Sequence, residues 1–485
     1  MLARPLTLSF STGTTPTVRA DPASPTAVLT PASEAGFGIA RGWFALSIAS
    51  LVIAGLLALA LVVGRIPIIS DWIADPLFFK RCLVVHVVLA LVVWFHASAA
   101  AWISLLRGGT QKGSADRGGL FAAVAGVALM VFSGAARGAT PILSNYVPVV
   151  DHPLFLAGLA LCFGGVALCF GSALLAPATG LPVLPPETAT GLRASAVAFF
   201  AALVTTFAAL GGLPAGLPAE TFYEFLFWGG GHVLQVANVC ALLALWLFLL
   251  HRASGRAVLS PRVAVVGFAA LVAPHLAAPL LTINGTMTQF YHEGATLLMR
   301  WGIFPVVLVM LALCLRHAWR EGLLADAARC ADPLVVGFLG SAGLTLLGFV
   351  IGATIHRADT VIPGHYHASI GAVTLAFMAG AYEFSRVVAP HATWRPTARW
   401  ARTQLALFAI GQSVFALGFA LAGHFGAGRK TYASEQQVRS AGELAGLGLM
   451  SFGGLIAVVS GVVFLVAMVR LIAAWRRPTF SVSTP

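Results

Sequence analysis

The sequence predicts an all-α polytopic membrane protein built as a bundle of twelve transmembrane helices. Of its 485 residues, 59% are hydrophobic and only 9% are charged, and the mean hydropathy is +0.90. Soluble domains carry about 25% charged residues, so this composition excludes a soluble globular protein. Disordered chains have low hydrophobicity, and the alternating ten-residue segments of an outer-membrane barrel are absent from the sequence. A helical membrane protein is the class that remains.

Twelve apolar runs reach the roughly 20 residues that a helix needs to cross a bilayer. The tail before the first run is rich in Ser, Thr, Pro and Ala and lacks the apolar core of a signal peptide. We therefore expect a disordered cytoplasmic tail over 1–40, a membrane domain over 41–475 and a second cytoplasmic tail over 476–485. The predicted spans are about 42–64, 80–106, 118–138, 153–176, 191–213, 222–250, 262–284, 293–316, 333–355, 362–387, 401–424 and 441–472.

The basic residues predict the orientation. Most of the 29 Lys and Arg residues fall in the N-terminal tail, in alternate loops and at the C-terminus. Because basic residues gather on the cytoplasmic side, we expect both termini in the cytoplasm of a bacterial-type inner membrane. The same rule explains the net charge of +12 without a nucleic-acid partner, so the expected surroundings are the lipid bilayer.

Five histidines fall at a similar depth in four of the predicted helices. At about 1.5 Å per residue, all five lie roughly 5–15 Å below the outer surface. Ionisable residues inside a membrane are functional candidates, and several imidazoles at one depth are what a buried metal or haem centre requires. The five are His86, His232, His275, His365 and His367.

The His365-Tyr366-His367 segment gives these histidines a geometry. Residues two apart on a helix point about 200° apart, so the two imidazoles cannot bind one metal atom but can bind two centres on opposite sides. With His86 opposite His367, one haem would have two axial histidines and suit electron transfer. His365 would be the only protein ligand of a second haem, whose other face stays open for a small gas. His232 and His275 would face that open side and could hold a copper ion.

Five motifs, in the right order and at the right depth, resemble subunit I of the haem–copper oxygen reductases, and its B-type branch most closely. TVIPGHYHASIGAVTLAFMAG (360–380) resembles the helix that binds both haems, and LVVHVVLALVVWF (83–95) resembles the helix with the other low-spin haem ligand. FLFWGGGHVLQ (225–235) and VAPHLAAPL (272–280) resemble the copper-binding helices. GHFGAGRKTYA (423–433) resembles the outer loop that binds haem propionates.

The resemblance implies ligands for two haems and one copper ion. It also implies a terminal respiratory oxidase that oxidises cytochrome c or quinol, reduces O2 and translocates protons. Because the sequence has no cysteine-rich dinuclear copper segment, a subunit II-like partner would bring the electrons. The implied residues are His86 and His367 for the low-spin haem iron, His365 for the high-spin haem iron, His232 and His275 for copper, and Arg429 and Lys430 for the propionates.

Two departures from the family pattern keep alternatives open. The family usually has a histidine pair in helix 7, where Pro274-His275-Leu276 keeps one, and a tyrosine four residues after the helix-6 histidine, where this sequence has Val236. The chain could therefore be a nitric oxide reductase-like enzyme that reduces NO, or a copper-deficient haem subunit for electron transfer. A twelve-helix transporter is a further alternative. Five polar residues near the predicted haem–copper centre could assist that centre, and they are His292, His356, Asp359, Glu224 and Glu293.

Overall fold

Long helices dominate the computed structural model, which describes residues 37–63, 75, 77–107, 114–175, 183–429 and 440–475. Eleven of the described helices are long and apolar enough to cross a membrane. A further helix of 28 residues, which contains both histidines of the His-Tyr-His segment, spans about 42 Å at 1.5 Å per residue. The prediction of an all-helical twelve-span bundle is thus confirmed. The predicted tails lie almost entirely outside the described residues.

The twelve long helices are numbered α1 to α12, so that each number matches a predicted span. A short helix, Ala327–Cys330, lies between α8 and α9. The bounds are α1 Gly38–Val63, α2 Phe78–Arg107, α3 Ser114–Ser133, α4 Pro153–Leu175, α5 Pro186–Gly211, α6 Ala219–Ser254, α7 Pro261–Thr282, α8 Gln289–Arg320, α9 Pro333–Ala353, α10 Val361–Val388, α11 Ala398–His424 and α12 Ala441–Ala473.

Two helices are interrupted next to predicted site residues. In α2 a π-helical turn, Val88–Val93, begins two residues after His86. In α7 the α-helix ends at Val272, and a 3₁₀ segment, Ala273–Thr282, carries His275. Two prolines lie in the 3₁₀ segment, and proline has no N–H to continue an α-helical ladder. Both interruptions differ from the sequence prediction, which has continuous helices at these places.

A β-hairpin connects α3 to α4 and was not expected from the sequence. Its strands are β1 (Thr140–Ile142) and β2 (Val149–Asp151), which pair antiparallel with Pro141 opposite Val150. The turn between them contains Tyr146, whose φ of 65° is the only positive value at a non-glycine residue in the described part of the chain. Only a few per cent of non-glycine residues adopt such a conformation.

Small residues let pairs of helices pack backbone to backbone. A β-carbon added to Gly165 in α4 would lie 2.3 Å from the carbonyl oxygen of Gly119 in α3. The contact between α11 and α12 has the same character, since a β-carbon on Gly418 would lie 2.2 Å from the backbone nitrogen of Met450. Lipid tails are as apolar as the side chains, so close packing of this kind drives helix association in membranes.

Two adjacent glycines of α4 test this contact. Gly165→Ala should destabilise the purified protein by about 1–3 kcal/mol, because the added methyl group overpacks the α3–α4 contact. Gly164 has nothing within 4 Å of such a methyl group, so Gly164→Ala should leave stability unchanged or raise it slightly. Thermal unfolding in detergent measures both. Equal melting temperatures for the two variants would contradict the packing account.

Candidate haem and metal centre

His365 and His367 contact different neighbours of α10. The ring of His365 lies towards α9, where its Nδ1 is 2.7 Å from the carbonyl oxygen of Gly348. The ring of His367 lies towards α11 and stacks on Phe419, with ring centroids 5.2 Å apart and planes only 5° from parallel. The two imidazoles therefore face different sides of α10, as their spacing predicts.

His86 faces the same part of the bundle as His367. Its Nδ1 donates a hydrogen bond of 2.8 Å to the carbonyl oxygen of Ala54 in α1. The two imidazoles are close enough to interact electrostatically. Each of the two side chains is half-buried.

The copper histidines that the sequence predicts lie on two elements that contact one another. His232 lies in the middle of α6, and His275 lies on the 3₁₀ segment of α7. The ring of Trp228 lies between His232 and His292, with ring centroids 4.9 Å and 5.0 Å away respectively. In the residues that the structure describes, no group of three or more His, Cys, Asp or Glu side chains is arranged to hold a metal ion.

A common hydrogen-bond pattern fixes the tautomer of four of these rings. In His86, His232, His275 and His365, Nδ1 contacts a backbone carbonyl oxygen at 2.6–2.8 Å. A carbonyl oxygen only accepts, so Nδ1 must carry the proton and Nε2 must carry the lone pair. Metal-binding histidines are commonly oriented in this way, with the second nitrogen free for the metal.

His275 provides the clearest test of whether the residues fit a metal ion. Its side chain is 1% exposed, and its Nε2 is buried without any hydrogen-bond partner. Burying such a group without a partner costs about 1–3 kcal/mol. A metal ion or another electrophile at Nε2 would remove that cost, so His275 and the tautomer of His232 fit a bound metal.

Glycines make room for two of the imidazoles. A β-carbon on Gly352 in α9 would lie 2.6 Å from Nδ1 of His365, and one on Gly302 in α8 would lie 2.4 Å from Cε1 of His275. Neither glycine was predicted from the sequence. For Gly352 the available signal was the spacing of four between the two glycines of GFVIG (348–352), because residues four apart share one helix face.

The polar residues proposed to assist the centre have different positions. Glu224 lies two turns before His232 and accepts a hydrogen bond of 2.9 Å from the backbone N–H of Asn145. The ring of His292 lies 5.0 Å from that of Trp228, which itself packs on His232. Glu293 is exposed at the surface and bonds Gln289.

The remaining two lie before α10. His356 is exposed. Asp359 accepts a 3.0 Å hydrogen bond from the backbone N–H of Val361 and pairs with Arg357 at 3.6 Å. Asp359 thus stabilises the first turn of the helix that carries His365 and His367, since acceptors satisfy the free N–H groups there.

The predicted propionate residues are described only in part. Arg429 is half-buried and donates a 2.8 Å hydrogen bond to the side-chain oxygen of Asn145. Gly428 pairs with Asp359 in an isolated antiparallel bridge, so the loop after α11 is held at the start of α10. Lys430 lies outside the described residues.

A tyrosine that the sequence analysis missed contacts the candidate metal site. The hydroxyl of Tyr146, in the hairpin turn, lies 2.8 Å from Nε2 of His232, and the ring centroids are 4.6 Å apart. Burial and the carboxylate of Glu224 raise the pKa of Tyr146. In the absence of a cation, its hydroxyl therefore keeps its proton and donates it to Nε2. The turn sequence has no recognisable signal for such a contact.

Comparison with known proteins identifies the family. The family described as "Cytochrome C and Quinol oxidase polypeptide I" matches residues 38–454. The chain belongs to this family. The matched range contains every residue predicted to bind haem iron or copper, and it also contains Arg429 in the loop after α11. The resemblance to haem–copper oxidases in the sequence is thereby confirmed, and the chain is a member of a family whose proteins normally bind haems and copper.

Similar proteins extend over most of the chain. An uncharacterised protein of Rickettsia prowazekii (strain Madrid E) is 25% identical over 88% of this chain and 94% of its own length. An uncharacterised protein of Aquifex aeolicus (strain VF5) is 27% identical over 69% of this chain and 83% of its own length. Among solved structures, a haem–copper terminal oxidase dimer matches with a TM-score of 0.68 and 16% identity, over 93% of this chain and 85% of that one. The last likeness shows a common fold.

The glycine that makes room for His365 gives a prediction about this subunit. Gly352→Ala should displace the imidazole, because the new β-carbon would lie 2.6 Å from Nδ1. If His365 binds the high-spin haem, as the sequence resemblance implies, this variant should lose most of the carbon monoxide-binding haem signal and retain the low-spin haem signal. Gly343→Ala is the matched control in α9, since that position has open space around it. An unchanged carbon monoxide spectrum in Gly352→Ala would contradict the placement of His365.

Proposed function

We propose that this chain is the catalytic haem-binding subunit of a terminal respiratory oxidase. In this proposal His86 and His367 bind a low-spin haem, His365 binds a high-spin haem, and His232 and His275 bind a copper ion. The observation that carries it is the shared tautomer of His86, His275 and His365, because it leaves their Nε2 lone pairs for metals. The lone pair of His232 has the same orientation and accepts from Tyr146 in the absence of a cation.

The proposed cofactors carry the redox chemistry, and when bound they accept electrons and deliver them to O2. The protein orients the ligands. The carbonyl oxygens of Ala54 and Gly348 hold the rings of His86 and His365 at Nδ1. The aromatic ring of Phe419 fixes the plane of His367 by stacking. Donation of the Nδ1 proton to a carbonyl oxygen also makes Nε2 of the same ring a stronger base.

The surroundings of His275 favour a small apolar substrate. An apolar recess lined by Pro274, Leu298, Trp301 and Gly302 borders its segment of α7, and Gly302 contacts the imidazole itself. Trp301 is largely exposed on the outer face of the bundle, where lipid would lie. A dissolved gas such as O2 or NO enters such a recess without the desolvation cost that a charged substrate incurs.

Membership of the family supports a wider respiratory role as part of the proposal. We propose a multi-pass protein of a bacterial inner membrane with both termini in the cytoplasm, as the Lys and Arg distribution favours. Electrons would come from cytochrome c or quinol through a subunit II-like partner, and O2 reduction would be coupled to proton translocation. Arg429 and Lys430 would neutralise haem propionates at the outer face.

A nitric oxide reductase-like activity is the second candidate. It is favoured by Val236, which is fully buried and offers no phenol, and by the carboxylate of Glu224 on the same helix as His232. A copper-deficient electron-transfer subunit is the third. Metal analysis separates the oxidase from the third candidate, because two haems with one copper per chain fits an oxidase, whereas two haems without copper fits electron transfer alone.

Glutamine variants of three histidines test the haem assignment. In reduced-minus-oxidised spectra with carbon monoxide, His86→Gln should abolish only the low-spin signal, and His365→Gln should abolish only the carbon monoxide-binding species. His96→Gln is the control, because His96 also donates from Nδ1 to a carbonyl, that of Val92, but packs between Phe163 and Phe199. Loss of the opposite signal in either variant, or loss of both in the control, would overturn the assignment.

A further inference from the structure

The two histidines of the proposed copper site are too few for a stable metal centre. Protein-bound transition metals normally have three or four protein ligands. Across the described ranges, no His, Cys, Asp or Glu side chain joins His232 and His275 as a third ligand. The missing ligand is therefore either of another residue type or not a protein group.

Tyr146 supplies an oxygen at the right place. Its hydroxyl lies 2.8 Å from Nε2 of His232, the nitrogen that the bond from Nδ1 to Trp228 leaves free for a metal. Two adjacent ligands of a tetragonal Cu(II) ion, each about 2.0 Å from the metal, would be about 2.8 Å apart. The separation of the oxygen and Nε2 is thus compatible with both atoms binding one ion.

The backbone conformation of Tyr146 directs its ring towards His232. Tyr146 adopts a left-handed φ of 65°, which costs on the order of 1 kcal/mol for a residue that is not glycine. Its ring lies directly on Gly231 of α6, where a β-carbon would lie 2.4 Å from Cγ of the tyrosine. A strained backbone that is maintained by its surroundings is typical of functional sites.

Hydrogen bonds from two other parts of the chain anchor the turn. Asn145, the residue before Tyr146, binds Glu224 of α6 through its backbone N–H and its side-chain amide. Its side-chain oxygen accepts from Arg429 in the loop after α11. Ser144 closes the turn with a 2.6 Å hydrogen bond to the carbonyl oxygen of Val147. The position of the turn is consequently fixed by two other parts of the chain and by a hydrogen bond within the turn itself.

We propose that Tyr146 is the third protein ligand of the metal site, so that the site consists of two imidazole nitrogens from His232 and His275 and one phenolate oxygen. This inference rests on the proposed function. On metal binding the phenol O–H bond breaks, the oxygen binds the cation and the proton is released to water. Imidazole together with an oxygen ligand suits Cu(II), and no change in oxidation state is needed for this step.

Copper binding to the purified full-length protein tests the proposal. Metal-depleted protein is titrated with Cu(II), and infrared difference spectra are recorded with ¹³C-ring-labelled tyrosine. The chain has only six tyrosines, so isotope-shifted bands can be assigned with one variant each. We expect loss of a phenol band and gain of a phenolate band in the unmodified chain. Tyr146→Phe should abolish both changes and weaken copper binding at least tenfold.

Tyr291→Phe is the matched control. The Tyr291 hydroxyl donates to the carbonyl oxygen of Phe225 and accepts from the N–H of Gly229, so this phenol packs on the same helix without touching His232. This variant should retain the copper affinity and the band changes. The haem spectra of each sample show whether the variant is folded, and in the unmodified chain they test the proposed haem function independently.

Two results would overturn the proposal. One is a Tyr146→Phe protein that binds copper with unchanged affinity. The other is an unmodified chain in which no tyrosine band changes on addition of Cu(II), whether or not copper binds. In either case the contact between Tyr146 and His232 would be a structural hydrogen bond, while normal haem spectra would leave the haem assignment intact.

Discussion

The structure depends on one constraint, which is that polar groups inside an apolar bundle need partners. Imidazole has two nitrogens. In His86, His275 and His365, a backbone carbonyl satisfies Nδ1, and no protein hydrogen bond involving Nε2 is present among the described residues. The Nε2 of His275 is buried without a hydrogen-bond partner, which has a cost that a bound metal would remove, so the fold and the proposed copper site support one another.

The local geometry of the helices serves the same purpose. The 3₁₀ segment that carries His275 changes the direction of a side chain that a regular α-helix would place elsewhere, and a π-helical turn begins two residues after His86. The glycines at positions 302 and 352 leave the volume that the rings of His275 and His365 occupy. Close packing against glycines and an irregular backbone therefore fix imidazole positions that a regular α-helix alone would not predict.

The helices and the principal histidines could be predicted from the sequence, because both follow from local patterns. Apolar length gives each span, and the rise per residue gives the depth of His86 or His367. The divergence of His365 and His367 follows from helical geometry. By contrast, the hairpin turn and the contact between Tyr146 and His232 could not be predicted. They join residues 86 positions apart through a left-handed residue, and such pairing depends on tertiary packing.

The central claim is that His86 and His367 bind the same iron atom. An experimental density map of the purified chain with its bound cofactors tests it most directly. We expect a porphyrin between α2 and α10, with its iron bonded to Nε2 of both histidines. A map in which the two rings turn away from each other, with no porphyrin between them, would contradict the account.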